Sequence, residues 1–263
     1  MFLAIDIGNT QSTFGLFKKE EPFEMIFRFP TASIIAGENI TSELLPKLSA
    51  LGDLDFVIIA SVVPEASEAL QKILETSHKE AKITLLKNSD VPIVNKYGDP
   101  EKVGIDRLLA ALAAYERFSK AEKKPLIVVD LGKATTIDCV NINGEFLGGI
   151  ITLGISSSAK HLSSIAAQLP EIELQFPDHV LGKSTQESMQ SGILFGALSM
   201  IEGLISRLQE ENFPGQEIIV VVTGGLSSLF EGRSKMIDHI APHLVPEGIA
   251  IVARTSRLLP LTD

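Results

Sequence analysis

Short apolar runs, separated by glycine or by charged residues, open the chain and are typical of strands joined by tight turns. Three such runs predict the first three strands, at 2–7, 12–17 and 23–29. Further on, apolar residues recur at the helical period from residue 103 to residue 118, with Leu108 and Leu112 on one face. The opening of the chain therefore predicts a small antiparallel sheet followed by helices and buried strands.

The second half of the chain repeats this order of elements. Three further strands are predicted at 126–131, 135–142 and 146–151. They are followed by a long helix at 185–211, a strand at 217–223 and a last helix at 247–258. In both halves the first strand ends in Asp-x-Gly, at Asp6 and at Asp130, which indicates an internal duplication of architecture.

A polar, highly charged stretch at 116–124 predicts the boundary between the two halves. We therefore expect an α/β protein with two lobes, at 1–118 and 119–263, and a cleft between them. Clefts between lobes are favoured ligand sites, so the predicted architecture already favours a small-molecule function.

Composition narrows the classes of partner. The 263 residues include 23 Lys and Arg against 33 Asp and Glu, for a net charge of −10, and such a surface repels nucleic-acid phosphates and anionic lipids. The single cysteine, Cys139, excludes an intramolecular disulfide and a cysteine-rich zinc site. No apolar run reaches the roughly 18 residues of a membrane span, and the N-terminus lacks a basic signal-peptide region. We expect a cytoplasmic protein with no nucleic-acid and no membrane partner.

Two Asp-Gly turns carry candidate chemistry. In the first, Asp6–Thr10, the glycine lets a ligand approach the backbone, and N–H and side-chain donors suit a phosphate. The Asp6 carboxylate could hold magnesium (Mg²⁺), directly or through water. The second, Asp130–Thr136, adds threonine hydroxyls and Lys133, which suit phosphate and cation binding. An ordinary polar turn is the alternative for both, and Thr223–Gly225 is a weaker third glycine turn.

The segment Gly104–Arg107 opens the most clearly periodic helix. A carboxylate such as Asp106 in a first helical turn is explained by simple capping and by the helix dipole. Capping does not explain why an arginine follows directly, at the positive end of the helix. Arg107 therefore fits an anchor for a substrate carboxylate or phosphate.

Other familiar site patterns are missing from the sequence. The five histidines show no metal-ligand spacing, and neither a Gly-x-Ser-x-Gly elbow nor a P-loop occurs. Gly192 and Gly196, one turn apart on the long helix, would allow close helix packing, either within the chain or at a dimer face.

Taken together, these motifs identify a family resemblance: the chain resembles the type III pantothenate kinases, within the acetate-kinase, sugar-kinase, heat-shock-protein and actin superfamily. The matching stretches run nearly from end to end and are specific in their order and spacing. They are DIGNT at 6–10, YGDPEKVGIDR at 97–107, DLGKATTID at 130–138, GEFLGGIITLGI at 144–155, LPEIEL at 169–174, GKSTQESMQSGILFG at 182–196 and VVTGG at 221–225.

The resemblance implies two ribonuclease-H-like (actin-like ATPase) lobes, a homodimer, and ATP-dependent phosphorylation of the alcohol group of pantothenate, the first step of coenzyme A synthesis. It implies Asp106 as the general base and Asp130 as the ligand of an activating monovalent cation, potassium (K⁺) or ammonium (NH₄⁺). Residues implied for ATP and Mg²⁺ are Asp6, Ile7, Gly8, Asn9, Thr10, Gln11, Ser12, Thr13 and Lys133. Residues implied for pantothenate are Tyr97, Gly104, Ile105, Asp106, Arg107 and Thr185, the last of them close to the dimer interface.

The chain departs from the family pattern at three places. Threonine or serine is usual where Lys133 stands, proline is usual at Leu153, and asparagine is common at Ala110 or Ala111. The Lys133 ammonium could replace the monovalent cation beside Asp130, or fill the γ-phosphate pocket and weaken ATP binding. We expect the first, because a lysine beside a phosphate is chemically compatible.

Two other functions compete with the pantothenate kinase. One is a non-catalytic accessory or regulatory relative that binds nucleotide or a ligand related to coenzyme A, which Lys133 favours. The other is a small-molecule kinase with a different acceptor. The retained Asp6, Asp106 and Asp130 favour an enzyme, and Tyr97 favours pantothenate as its acceptor.

Overall fold

The computed structural model describes residues 1–17, 24–166 and 168–255. The chain divides into two compact units, Met1–Ala113 with the segment from Leu244 onwards, and Ala114–His243. These units differ from the predicted lobes, 1–118 and 119–263, in the position of the boundary and in the C-terminal segment, which joins the first unit.

The first unit contains a five-stranded sheet with the order β3-β2-β1-β4-β5. Its strands are β1 (Phe2–Ile7), β2 (Gln11–Phe17), β3 (Glu24–Pro30), β4 (Phe56–Ser61) and β5 (Lys82–Leu85). The first three strands are antiparallel, whereas β1, β4 and β5 run parallel. All three predicted strands at the start of the chain are therefore present, and the predicted start of the third, at residue 23, lies outside the described residues.

Helices alternate with the strands along this segment of the chain. They are α1 (Thr31–Ala36), α2 (Leu45–Ser49), α3 (Pro64–Ser77) and, after the short strand β6 (Val94–Asn95), α4 (Ile105–Ala114). Alternate residues of β1, namely Leu3, Ile5 and Ile7, are fully buried and pack in one core with Leu70 and Leu74 of α3. This alternation leaves Asp6 on the other face of the sheet.

The second unit repeats the arrangement of the first. Its elements are β7 (Leu126–Leu131), β8 (Ala134–Val140), β9 (Glu145–Leu153), α5 (Ile155–Ile165), α6 (Thr185–Asn212), β10 (Ile219–Thr223) and β11 (His239–Ile240). Within the unit the strands lie in the order β9-β8-β7-β10-β11. The first three are antiparallel and β7, β10 and β11 are parallel, as in the first unit. The predicted ribonuclease-H-like duplication is confirmed at the level of topology.

The long helix α6 packs on the sheet of the second unit through Leu194, Leu198, Ile201 and Ile205, which recur at helical spacing in its core. Among the described helices, α6 is the one that is long and apolar enough to cross a membrane, by length and composition alone. A long helix that packs in the core of a globular protein has the same kind of apolar stripe.

The last helix, α7 (Leu244–Thr255), belongs to the first unit. A Cβ on Gly248 would overlap the backbone carbonyl of Leu109, so α7 and α4 are in close backbone contact. The predicted helix at 247–258 is thus present from Leu244, and its predicted end lies outside the described residues.

Candidate active site

The first Asp-Gly turn joins β1 to β2. Asp6 lies opposite Thr13 in the register of the two strands, on the face of the sheet opposite to the one that carries Ile5 and Ile7. The turn itself exposes Asn9 and Thr10, and Gly8 donates its N–H to the carbonyl of Gln11 at 3.2 Å. The turn therefore presents a carboxylate, two polar side chains and backbone N–H groups on one edge, which suits a phosphate and its metal ion.

Two residues expected at this turn point elsewhere. Ile7 is fully buried in the core of the first unit, so only its backbone could contact a nucleotide. Ser12 is also fully buried, and its hydroxyl lies 3.1 Å from the hydroxyl of Thr31. Thr31 lies nineteen residues after Ser12, beyond strand β3, and matches no local motif, so no pattern in the sequence indicates it.

Asp106 lies in the first turn of α4, as the sequence predicts. The N–H of Arg107 donates to its Oδ1 at 2.8 Å. Burial raises the pKa of this carboxyl, and the N–H and positive charge of Arg107 oppose the rise without cancelling it. A Cβ on Gly104 would overlap the same carboxylate oxygen. The absence of a side chain at Gly104 therefore leaves room for the Asp106 carboxylate.

Arg107 is buried although it carries a full charge, with 8% of its surface exposed. Its guanidinium lies over the ring of Tyr97, 5.9 Å from the ring centre, and the Tyr97 N–H is held by Oδ1 of Asn95 at 3.0 Å. Asn88 ties the same loop to the start of the helix by donating to the Val103 carbonyl at 2.8 Å. The structure thus brings Tyr97 together with the Gly104–Arg107 turn.

Ile105, also expected at the substrate, is 5% exposed and belongs to the buried apolar residues. Because its side chain is buried, its backbone is the part that could contact a ligand.

The second Asp-Gly turn joins β7 to β8. Asp130 lies opposite Thr136, and the pair Leu131 and Thr135 closes the turn. Lys133 is exposed at its tip. The Lys133 carbonyl accepts hydrogen bonds from the Gly154 N–H at 3.1 Å and from the Ser157 hydroxyl at 2.8 Å. The backbone of this turn is therefore fixed from the start of α5, while the Lys133 ammonium stays accessible.

The third glycine turn, which the sequence indicated only weakly, lies directly against Asp130. Thr223 is opposite Asp130 in the parallel pair of β10 and β7. Gly224 follows with a φ of +91°, and a Cβ there would overlap Oδ1 of Asp130 and lie 2.8 Å from the Leu131 N. This close approach explains why glycine stands at the end of β10.

A further buried carboxylate, Asp138, lies on the same strand as Thr136, whose hydroxyl donates to its Oδ2 at 3.2 Å. Gly149 lies opposite in β9, and a Cβ there would overlap the Asp138 carboxylate. Asp138 ends the motif at 130–138, and its position in that motif alone indicates no role. Burial and this carboxylate raise the pKa of Cys139 to about 12, which argues against thiolate chemistry at the neighbouring cysteine.

Thr185 is the first residue of α6 and is exposed. The preceding Ser184 accepts the N–H of Glu187 at 3.2 Å, and the Glu187 carboxylate accepts the N–H of Lys183 at 2.7 Å. A cavity of about 430 Å³ lies beside this helix start, lined by the segment 175–184 and the first turns of α6. No pattern in the sequence indicates this cavity.

The described residues offer few side-chain ligands for a metal ion. Within residues 1–17, 24–166 and 168–255, no group of three or more His, Cys, Asp or Glu side chains could hold one. Mg²⁺ commonly binds through one or two carboxylates, with water and substrate phosphates completing its shell. The single carboxylate of Asp6, beside a turn that presents backbone N–H groups, fits that kind of site.

Comparison with known proteins gives a consistent result. A family model described as type III pantothenate kinase matches residues 2–207. The chain is 38% identical over 261 residues to type III pantothenate kinase 1 of Symbiobacterium thermophilum, covering 96% of each protein. It is 36% identical over 257 residues to a type III pantothenate kinase of Agathobacter rectalis, covering 97% of each.

Among solved structures, a Baf family protein from Campylobacter jejuni aligns with 98% of this chain and 100% of its own length, with a TM-score of 0.61 and 19% identity. At that identity the likeness supports the fold alone.

Proposed function

The chain belongs to the family of type III pantothenate kinases, and from this premise we propose that it transfers the γ-phosphoryl group of ATP to the primary hydroxyl of pantothenate. The products are 4′-phosphopantothenate and ADP. The observation that carries the proposal is the turn at the start of α4, where a half-buried carboxylate and a buried guanidinium lie on adjacent residues, Asp106 and Arg107.

Asp106 acts as the general base in this proposal. Burial raises its pKa, so its carboxylate holds a proton more readily than an ordinary aspartate does. It accepts the hydroxyl proton while the alcohol oxygen forms a bond to the γ-phosphorus, and the bond from that phosphorus to the bridging oxygen of ADP breaks.

Arg107 binds the carboxylate of pantothenate. An acid substrate is best held by a planar guanidinium, which can donate two parallel hydrogen bonds to a carboxylate. Because Arg107 is buried and lies over the Tyr97 ring, its position is restricted before the substrate arrives. Restricting the anchor in this way lowers the cost of orienting the hydroxyl toward Asp106.

The turn Gly8–Thr10, with the strand residues around it, binds the ATP phosphates through N–H groups and short polar side chains. Asp6 would hold Mg²⁺, directly or through water. When bound, the metal neutralises the charge of the β- and γ-phosphates. Gly8 keeps the backbone accessible, and the Thr13 side chain opposite Asp6 lines the same face.

We further propose that Asp130 marks a cation position. Its carboxylate oxygen lies in a cradle that a Cβ on Gly224 would fill, and a carboxylate in such a cradle is a suitable oxygen ligand for K⁺ or NH₄⁺. Lys133 stands three residues further on with an exposed ammonium group. We expect this ammonium to replace the monovalent cation, so that the enzyme works without added K⁺.

The enzyme is proposed to be a cytoplasmic homodimer. Gly192, Gly196 and Gly203 on α6 have no described atom within 4 Å of an added Cβ, so their small size does not serve packing within the chain. All three glycines are exposed, and exposed glycines on one helix allow the backbone of a second copy to approach closely. The dimer would bring Thr185 close to a substrate.

The test is formation of phosphopantothenate by the purified protein with Mg-ATP and pantothenate, with and without K⁺. Asp106→Asn removes the base at nearly constant size, and Asp53→Asn, at an exposed aspartate, is the matched control. We expect turnover in the wild type and in Asp53→Asn and a loss of at least about 10²-fold in Asp106→Asn. A folded wild type with no turnover in either buffer would support a non-catalytic relative instead.

A further inference from the structure

We propose that Thr31 is a positioning residue for nucleotide binding: it holds the turn Gly8–Thr10 in the conformation that receives the ATP phosphates. This inference rests on the proposed function, since it assigns a role at the nucleotide site. Thr31 itself touches the turn and not the phosphates.

Thr31 binds the turn at both ends. Its hydroxyl donates to the carbonyl of Gly8 at 2.7 Å, and its backbone N–H donates to the carbonyl of Thr10 at 3.0 Å. The hydroxyl of Ser12 lies 3.1 Å from the Thr31 hydroxyl. Thr31 and Ser12 are 1% and 0% exposed, so water does not compete for these hydrogen bonds.

These contacts orient the N–H groups of the turn. The Gly8 carbonyl and the Asn9 N–H belong to one planar trans peptide and point in opposite directions. With the carbonyl held toward Thr31, the Asn9 N–H points away from it. In the part of the chain that the structure describes, neither the Asn9 nor the Thr10 N–H makes a hydrogen bond, and both residues are exposed. These two donors are thus presented outward, as phosphate binding requires.

The Thr31 hydroxyl does not serve its own helix. Thr31 is the first residue of α1, and Pro30 at the N-cap makes no side-chain cap. A threonine at a helix start commonly bonds to nearby backbone of that helix. Here its hydroxyl instead bonds to a carbonyl twenty-three positions earlier in the chain. Thr31 therefore joins the start of α1 to the turn Gly8–Thr10.

The test compares Thr31→Val with Thr31→Ser in the full-length enzyme. Valine keeps the size and branching but removes the hydroxyl, whereas serine keeps the hydroxyl. For Thr31→Val we expect the KM for ATP and the Kd for Mg-ATP, measured by calorimetry, to rise about tenfold, the factor that one net hydrogen bond corresponds to. The KM for pantothenate should change less than about twofold, and Thr31→Ser should recover most of the ATP affinity.

Thr76→Val is the matched control, because the Thr76 hydroxyl donates within α3 to the Lys72 carbonyl at 2.9 Å. It should leave both KM values unchanged. If Thr31→Val does not fold, Ser12→Ala takes its place, with an expected rise of about twofold to fourfold in the KM for ATP alone.

The outcomes separate this inference from the proposed function. A folded wild type that neither binds Mg-ATP nor turns over contradicts the proposed function itself. An active wild type whose Thr31→Val variant keeps its affinity for ATP overturns the positioning role. So does a variant in which both KM values and kcat worsen together without recovery in Thr31→Ser, because that pattern reflects general destabilisation.

Discussion

Gly224 lies against Asp130 so closely that a single added carbon would overlap the carboxylate oxygen. The two residues come from parallel neighbouring strands, β10 and β7, and lie at the same end of both. Polar groups at the carboxyl ends of adjacent parallel strands are a common location for ligand sites in α/β proteins. The contact therefore connects Gly224, which the sequence indicated only weakly, with the proposed cation position at Asp130.

Gly224→Ala should lower kcat/KM for phosphopantothenate formation by more than about tenfold, because the new carbon displaces the Asp130 carboxylate and alanine is strained at a φ of +91°. Steady-state kinetics of the folded variant would measure this. Gly215→Ala is the matched control, since Gly215 has a φ of +72° with no atom near an added Cβ. An equal loss in both variants would attribute the effect to backbone strain alone.

The pH dependence of the rate should report Asp106. The carboxyl must be ionised to accept a proton, and burial raises its pKa above the ordinary value of 3.8. We therefore expect the acid limb of kcat/KM to have its midpoint above 3.8, with activity lost as the pH falls through that midpoint. Asp53→Asn should keep the same profile. An acid limb at or below 3.8 would argue against Asp106 as the base.

The raised pKa of Asp106 should also make the free energy of unfolding depend on pH. Its pKa is raised in the folded state, so the folded protein binds the proton more tightly than the unfolded chain, whose aspartate titrates near 3.8. The stabilisation is complete below that value and is lost as the pH rises through the folded pKa. Urea unfolding should show that the wild type loses stability relative to Asp106→Asn across this interval. A constant difference between the two proteins would contradict the shift.

Arg107→Lys keeps the charge but removes the planar pair of donors and the contact of the guanidinium with Tyr97. We expect the KM for pantothenate to rise by about 10-fold to 100-fold, while the Kd for Mg-ATP changes little. Arg254→Lys, at an exposed arginine of the same unit, serves as the control. An increase in the KM for ATP with an unchanged KM for pantothenate would place Arg107 at the nucleotide instead.

Lys133→Thr tests whether the Lys133 ammonium replaces the monovalent cation. The wild type should show the same rate with and without K⁺ or NH₄⁺, and the variant should gain a dependence of at least about tenfold on either ion. Titration of each ion at constant ionic strength measures the effect. Lys160→Thr, at an exposed lysine of α5, should show no such dependence. If Lys133→Thr is equally indifferent to both ions, the ammonium does not replace a cation.

Much of the fold followed from local patterns. The strands on either side of Asp6 and Asp130 were predicted to within a few residues, since each turn is flanked by apolar runs of strand length. The helix that carries Asp106 was predicted over 103–118, but the α-helix itself ends at Ala114 and a π-helical turn, Tyr115–Ser119, follows. Helix ends depend on hydrogen bonding of the last turn, which side-chain periodicity does not report.

The sequence by itself determined the two Asp-Gly hairpins, the duplicated strand order and the family, because turn chemistry, hydrophobic periodicity and ordered motifs are written in neighbouring residues. Only the tertiary structure decided that Thr31 holds the first turn, that Gly224 lies against Asp130, and that α7 packs on α4 through Gly248. Each of these contacts joins residues far apart in the chain. They form where strands pair and helices pack, so no local pattern in the sequence encodes them.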